Sequence, residues 1–227
     1  MENILLKISI MLVPALLAVT AHEVAHGFAA ERFGDPTARL LGRLTLNPIK
    51  HLDPIGTIAL LVFGFGWARP VPVNPNNLRR SRLDMTWVAL AGPSANLMLA
   101  LCCAVLLRGV VSFAMVIPQE GQLFAMIEPV ALMAAFGLYI NVILGVFNLL
   151  PIPPLDGGRI IMNVLPEKQA LMFRKIEPFG LLLIIFLVFG TSLWQDVLGP
   201  LVFSMVALLA GPQIDVVERT MHLLFYS

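Results

Sequence analysis

From Ile4 to Phe33 the sequence is a nearly unbroken apolar run into which one polar cluster is set, Ala21-His22-Glu23-Val24-Ala25-His26-Gly27. No other feature constrains the fold as strongly. An apolar run of this length reads as a helix able to cross a bilayer. Two imidazoles and a carboxylate inside such a helix are costly unless they face protein, one another or an ion. The pattern is His-Glu-x-x-His, and on a helix it puts His22 and His26 on one face, one turn apart, where both can reach a single metal. Glu23 lies about 100° round from His22, a position suited to a base acting through water rather than to a third ligand. A catalytic zinc centre ordinarily has three protein ligands and one open position. The cluster supplies two ligands and a base, so the third ligand must come from elsewhere in the chain.

Composition supports a membrane setting. Hydrophobic residues make up 58% of the 227 and charged residues 13%, with a mean hydropathy of +0.86, well outside the range of a soluble globular domain. The chain reads as an all-α polytopic membrane protein, with about five membrane helices and a short re-entrant, β-hairpin-like segment after the first. A single domain is expected over residues 1–227, with a site-bearing core at 4–165 and a C-terminal helical hairpin at 170–211. The net charge of +1 gives no footprint for nucleic acid. Adjacent Cys102 and Cys103 sit in an apolar run, where free thiols behave as small hydrophobes.

The N-terminus has some features of a secretory signal, with Val19-Thr20-Ala21 as a small-residue cleavage site, but Glu2 offsets Lys7 and the helical pattern continues through Phe28, Ala29, Ala30 and Phe33. An uncleaved helix is expected, ended by Gly34-Asp35-Pro36. With Gly34 at the water boundary, His26 lies about 12 Å down the helix axis, inside the membrane.

Beyond the first helix, Thr37 to Arg82 is irregular and rich in proline and glycine, and its apolar piece Ile55–Phe65 is too short to span as a helix. A re-entrant segment packed over the metal site is expected, since irregular backbone at membrane depth must be buried in protein or face a cavity. His51 here is either a polar partner of the site or a surface histidine. A helix follows from a cap at Ser81 and Asp84 to Leu107, ending at Arg108 and carrying Gly92-Pro93-Ser94-Ala95-Asn96; Asn96 serves either the site or the packing of helices. The next span, Glu128 to Leu150, contains Asn141 and Asn148 and breaks at Pro151-Ile152-Pro153-Pro154-Leu155-Asp156-Gly157-Gly158-Arg159. An aspartate in so rigid a loop beside a membrane helix is the expected third ligand, the structural alternative being that Asp156 caps a helix starting near Arg159. Ile176–Leu193 and Val197–Ala210 are expected to form a hairpin turning near Trp194 to Asp196.

Basic residues give the orientation. Arg39, Arg43, Lys50, Arg69, Arg79, Arg80 and Arg82 precede the second long span, and Arg159, Lys168, Arg174 and Lys175 follow the third, while the other side holds little beyond Lys7 and Arg108. The positive-inside rule makes both loops cytoplasmic, which brings the His-Glu-x-x-His end of the first helix and Asp156 to the same face.

His22-Glu23-Val24-Ala25-His26 in a membrane helix, Gly92-Pro93-Ser94-Ala95-Asn96, and the run from Asn148 to Gly158 together resemble the site-2 protease family of intramembrane zinc metalloproteases, peptidase family M50. The resemblance implies that His22, His26 and Asp156 bind one Zn2+, that Glu23 is the catalytic base and that Asn148 lies near the substrate carbonyl. It implies cleavage of transmembrane segments of membrane protein substrates in regulated intramembrane proteolysis, in a prokaryotic inner membrane, by a compact form without PDZ or CBS domain. A substrate helix would have to unwind locally, pairing with an extended strand at Ala68–Val73. A membrane metal-ion transporter and a catalytically idle metal-binding protein are the alternatives, and Glu23 discriminates, since only a hydrolase needs a base beside the histidines.

Overall fold

The structure is a computed structural model that describes residues 2–56, 58, 66–118 and 121–225, the first two as backbone only. Its principal elements are α1 (Glu2–Arg32), α2 (Thr37–Leu40), α3 (Ser81–Ala114), α4 (Gln122–Asn148), α5 (Asp156–Val164), α6 (Glu167–Ile176), α7 (Gly180–Phe189), α8 (Gly199–Ala210) and α9 (Ile214–Phe225). Among the described residues four helical stretches are long and apolar enough to cross a membrane: Ile4–Arg32, Ser81–Ala114, Gln122–Asn148 and Trp194–Phe225. The protein is an all-α polytopic membrane protein. Among the described residues the only β pairing is an isolated antiparallel bridge between Leu52 and Ala68. Most of the expected re-entrant piece Ile55–Phe65 lies outside the described residues.

Several helix ends differ from the sequence expectation. The helix containing Arg108 continues to Ala114, because that guanidinium is engaged laterally: Nη2 donates to the Leu209 carbonyl at 2.6 Å and Nε to the Ala210 carbonyl at 3.4 Å. It thereby satisfies the last carbonyls of α8 where Gly211, at φ +58°, breaks the helix before α9. In the expected hairpin, Pro178 and Gly180 confine the first arm to a 3-10 turn at Glu177–Phe179 and the ten residues of α7. The second arm is longer than expected, since helix resumes after Gly211 and reaches Phe225.

The chain packs as two compact units. One comprises Met1–Ala18, Asn96–Leu144 and Gln195–Ser227. Its core is Ile10, Leu132 and Phe136, packed by Met11, Ala15, Met133, Ile140, Met221 and Leu224. Asn96 is fully buried there and donates to the Ala18 carbonyl at 3.1 Å and to Asn141 Oδ1 at 2.9 Å, while Asn141 donates to the Gly137 carbonyl at 2.8 Å. Its amide therefore joins helices, the second of its two expected roles.

The other unit comprises Val19–Ala95 and Gly145–Trp194. It is tied together by polar contacts at the helix ends. Gly34 turns the chain at φ +115°, and the fully buried carboxylate of Asp35 accepts from the Thr37 amide at 3.1 Å, the Asn74 amide at 2.7 Å and Asn77 Nδ2 at 2.8 Å, as well as from the Thr37 hydroxyl. Burial alone would raise this carboxyl, but these donors favour its anion and hold it below its ordinary value. The start of α3 is closed by Asp84, whose carboxylate reaches back to the Arg80 amide at 2.7 Å. Arg82 then donates to the carbonyls of Leu165 at 2.6 Å and Met162 at 3.3 Å, covering the exposed end of α5.

Candidate metal centre

His22 and His26 stand one turn apart on α1, and their rings meet edge to face, with centroids 4.6 Å apart and an interplanar angle of 87°. Their Nε2 atoms are 3.0 Å apart. Asp156, 130 residues beyond His26 in the chain, brings Oδ2 to 3.0 Å from His22 Nε2 and 3.2 Å from His26 Nε2. All three side chains are buried, at 8%, 7% and 5% of full exposure. The three groups expected to converge do so, and they lie within one of the two units.

Each candidate ligand is aimed by its surroundings. Val88 on α3 takes the Nδ1 proton of His26 on its backbone carbonyl at 2.7 Å. This selects the tautomer in which Nε2 keeps its lone pair. One turn further along α3, Gly92 backs onto both rings. A Cβ there would lie 2.6 Å from His22 Nε2 and closer still to His26 Nε2. Only glycine leaves this room, and the backbone of α3 forms one wall of the centre.

Asp156 is placed by a rigid turn. Gly157 has no space for a Cβ because the carbonyls of Leu149 and Leu150 lie against it, and Gly158 is similarly closed by the Ile152–Pro153 backbone. The Pro153–Pro154 peptide is cis. The turn delivers Asp156 as the first residue of α5, with Leu155 at the cap position and no side-chain capping bond. The capping alternative is therefore not realised; the carboxylate faces the histidines.

The set fits a metal ion. Oδ2 of Asp156 is buried without a hydrogen-bond partner although it lies beside two ring nitrogens. A buried orphan of this kind is costly. A divalent cation bonded to all three atoms would satisfy it. Ligand atoms at tetrahedral zinc distances stand about 3.3 Å from one another, close to the 3.0 and 3.2 Å found here.

Glu23, the residue after His22 on α1, is half-buried, and its Oε2 accepts the backbone N–H of Val71 at 2.7 Å. Oε1 has no hydrogen-bond partner among the described residues. Val71 can approach because Gly27 carries no Cβ, which would otherwise meet Leu44 at 2.7 Å and Val71 Cγ1 at 2.9 Å. The Val71 segment is held in turn: the Arg69 amide donates to the His51 carbonyl at 2.8 Å, and Arg43 Nη2 donates to the carbonyls of Arg69 and Pro70 at 2.8 and 3.3 Å. Burial and the neighbouring Arg69 charge lower the Arg43 value, with Glu23 pulling the other way.

Other expected residues fall elsewhere. Asn148 ends α4 half-buried, directly before the turn that carries Asp156. His51 is buried at 1% exposure, not a surface histidine, and its Nε2 pairs with the Thr45 carbonyl at 2.8 Å rather than with the metal set. Sequence reasoning missed Val88, placed Val71 only within an extended strand for substrate and counted Arg43 only as a sign of orientation; the two valines act through backbone groups that leave no side-chain signature.

The sequence is similar to known proteins along most of its length. The pattern of peptidase family M50 matches residues 10–191. YwhC of Bacillus subtilis strain 168, a candidate zinc metalloprotease by name, is 43% identical over 192 residues, covering 84% of this chain and 84% of that protein. Rip2 of Mycolicibacterium smegmatis, similarly named, is 33% identical over 78% of this chain and 66% of its own length. Rip2 of Mycobacterium tuberculosis strain H37Rv is 31% identical over 79% of this chain and 70% of its own. No solved structure matches.

Proposed function

The chain belongs to peptidase family M50, and on that premise we propose that it is a zinc-dependent intramembrane endopeptidase, hydrolysing peptide bonds within or beside transmembrane segments of other membrane proteins. The observation that carries this reading is the convergence of His22, His26 and Asp156 beside a carboxylate, Glu23, that one backbone amide holds by a single oxygen. We assign the three converging residues as ligands to one zinc ion per chain and Glu23 as the base.

Zinc held there supplies Lewis acidity, which polarises a carbonyl and acidifies a water. The residues of the chain do the rest. Val71 fixes Oε2 of Glu23, leaving Oε1 to take a proton from the attacking water and return it to the departing amine nitrogen. Asn148, adjoining the Asp156 turn, is assigned as a donor towards the carbonyl oxygen of the scissile bond, where negative charge develops. Burial of the ligands keeps the site out of bulk solvent and strengthens these interactions.

The four apolar stretches support a lipid-bilayer setting, the bias of basic residues supports a site near the cytoplasmic face, and the bacterial relatives support a prokaryotic cell membrane. The reading treats residues 1–227 as one intramembrane protease domain acting in regulated intramembrane proteolysis. Purified protein and its Glu23→Gln variant, compared for zinc and for cleavage of a transmembrane peptide, test it. About one zinc per chain in both, with cleavage lost only in the variant, is the expected result; cleavage that survives the substitution refutes the assignment.

A further inference from the structure

Arg43 is an expensive residue in this setting. It is 8% exposed, it pairs with no carboxylate within ion-pair distance among the described residues, and its Nε is buried without a hydrogen-bond partner. An unpaired buried guanidinium destabilises a fold unless it holds something that function requires. What it holds is backbone: the carbonyls of Arg69 and Pro70, immediately before Val71.

The sequence around Val71 sharpens the point. In Arg69-Pro70-Val71-Pro72 the two prolines have no N–H. Val71 therefore presents the single backbone donor between Arg69 and Val73, and that donor is the one on Glu23 Oε2. Three successive residues are thus fixed from three sides: the Arg69 amide by the His51 carbonyl, the Arg69 and Pro70 carbonyls by Arg43, and the Val71 amide by Glu23. Without Arg43 nothing else among the described residues bonds those two carbonyls, and the lever that aims the Glu23 carboxylate loses its fulcrum.

We propose that Arg43 is a positioning residue for the base: its guanidinium clamps the Arg69–Pro70 backbone so that the Val71 amide holds Glu23 oriented beside His22 and His26. This rests on the proposed protease reading for its catalytic consequence, but the clamp itself does not.

The test compares the full-length protein in detergent with Arg43→Met and Arg43→Lys by three readouts. Hydrogen exchange followed on fragments covering 70–72 reports the Val71 amide alone, because its neighbours are prolines. Bound zinc per chain reports the ligands, and kcat and KM on a transmembrane peptide report catalysis. In Arg43→Met the Val71 amide should exchange at least about tenfold faster, zinc should stay at the wild-type level, and kcat should fall roughly tenfold to a hundredfold with KM within about twofold, the scale of a misaligned catalytic group. Arg43→Lys should recover part of both the protection and kcat. Unchanged Val71 exchange in Arg43→Met overturns the proposal. So does a variant in which zinc, melting temperature and kcat fall together without rescue by lysine, since that pattern marks a merely structural arginine. If the wild type cleaves nothing, the protease reading fails by itself and the Val71 exchange still decides the clamp.

Discussion

Gly92 lies so close to His22 that a methyl group on its Cα would sit 2.6 Å from Nε2. A helix backbone has thereby been brought to the edge of the candidate metal centre, and the spacing of α1 and α3 at this point depends on one missing atom.

Gly92→Ala should therefore displace the ligand rings. The expected result is a loss of zinc affinity on the order of tenfold to a hundredfold, as for other disturbed ligand surroundings, with a matching loss of cleavage. Titration with a competing chelator measures the first. Wild-type affinity in the alanine variant would mean that α3 can shift away at little cost.

Removal of the metal should abolish cleavage and its return restore it. Asp156→Asn keeps the shape of the side chain but weakens the anionic ligand, so the purified variant should retain well under one zinc per chain. Metal analysis after dialysis checks this, and full zinc occupancy in that variant would remove Asp156 from the ligand set.

Asp35 should give the stability a pH dependence of defined sign. Its folded value is lowered, so its contribution is complete above the unfolded carboxylate value of about 3.9 and is lost as pH falls through the folded value below that. Melting of the wild type should drop through this acid window more steeply than that of Asp35→Asn. At neutral pH, Asp35→Ala should cost roughly 1–3 kcal/mol, because it removes a buried carboxylate that accepts from Thr37, Asn74 and Asn77.

Asn96→Leu should separate packing from chemistry. The hydrogen bonds to Ala18 and Asn141 predict a loss of about 0.6 kcal/mol and at most about 1.7, the average and the maximum for such bonds between membrane helices. Zinc content and kcat should be unchanged; a selective fall in kcat would return Asn96 to the site.

Much of this was legible in the chain because it depends on periodicity and on special backbones. The four-residue spacing of His22 and His26 guarantees a shared face on any helix, and the prolines and paired glycines around Asp156 announce a stiff turn. The apolar runs show where helices cross, but not where they stop. Arg108 looked like an end and proved to be a lateral cap for α8, a tertiary fact with no local trace. His51 looked indifferent and is buried. Val88 and Val71 contribute a carbonyl and an amide, groups every residue has, so nothing in their side chains distinguishes them. Gly92 was visible as a small residue suited to close helix approach, although the approach is to imidazole rings.

The separation of the ligands along the chain has a topological consequence. In the proposed zinc site an ion shared by His26 and Asp156 would tie together positions 130 residues apart, closing a loop that in a free chain would be worth about 4–5 kcal/mol of entropy as a covalent bridge. Helices already confined in a bilayer leave less of that entropy to remove, but the sign is unchanged. Chelation should act on this chain much as reduction acts on a secreted disulfide protein, loosening its architecture at the same moment that it silences its chemistry.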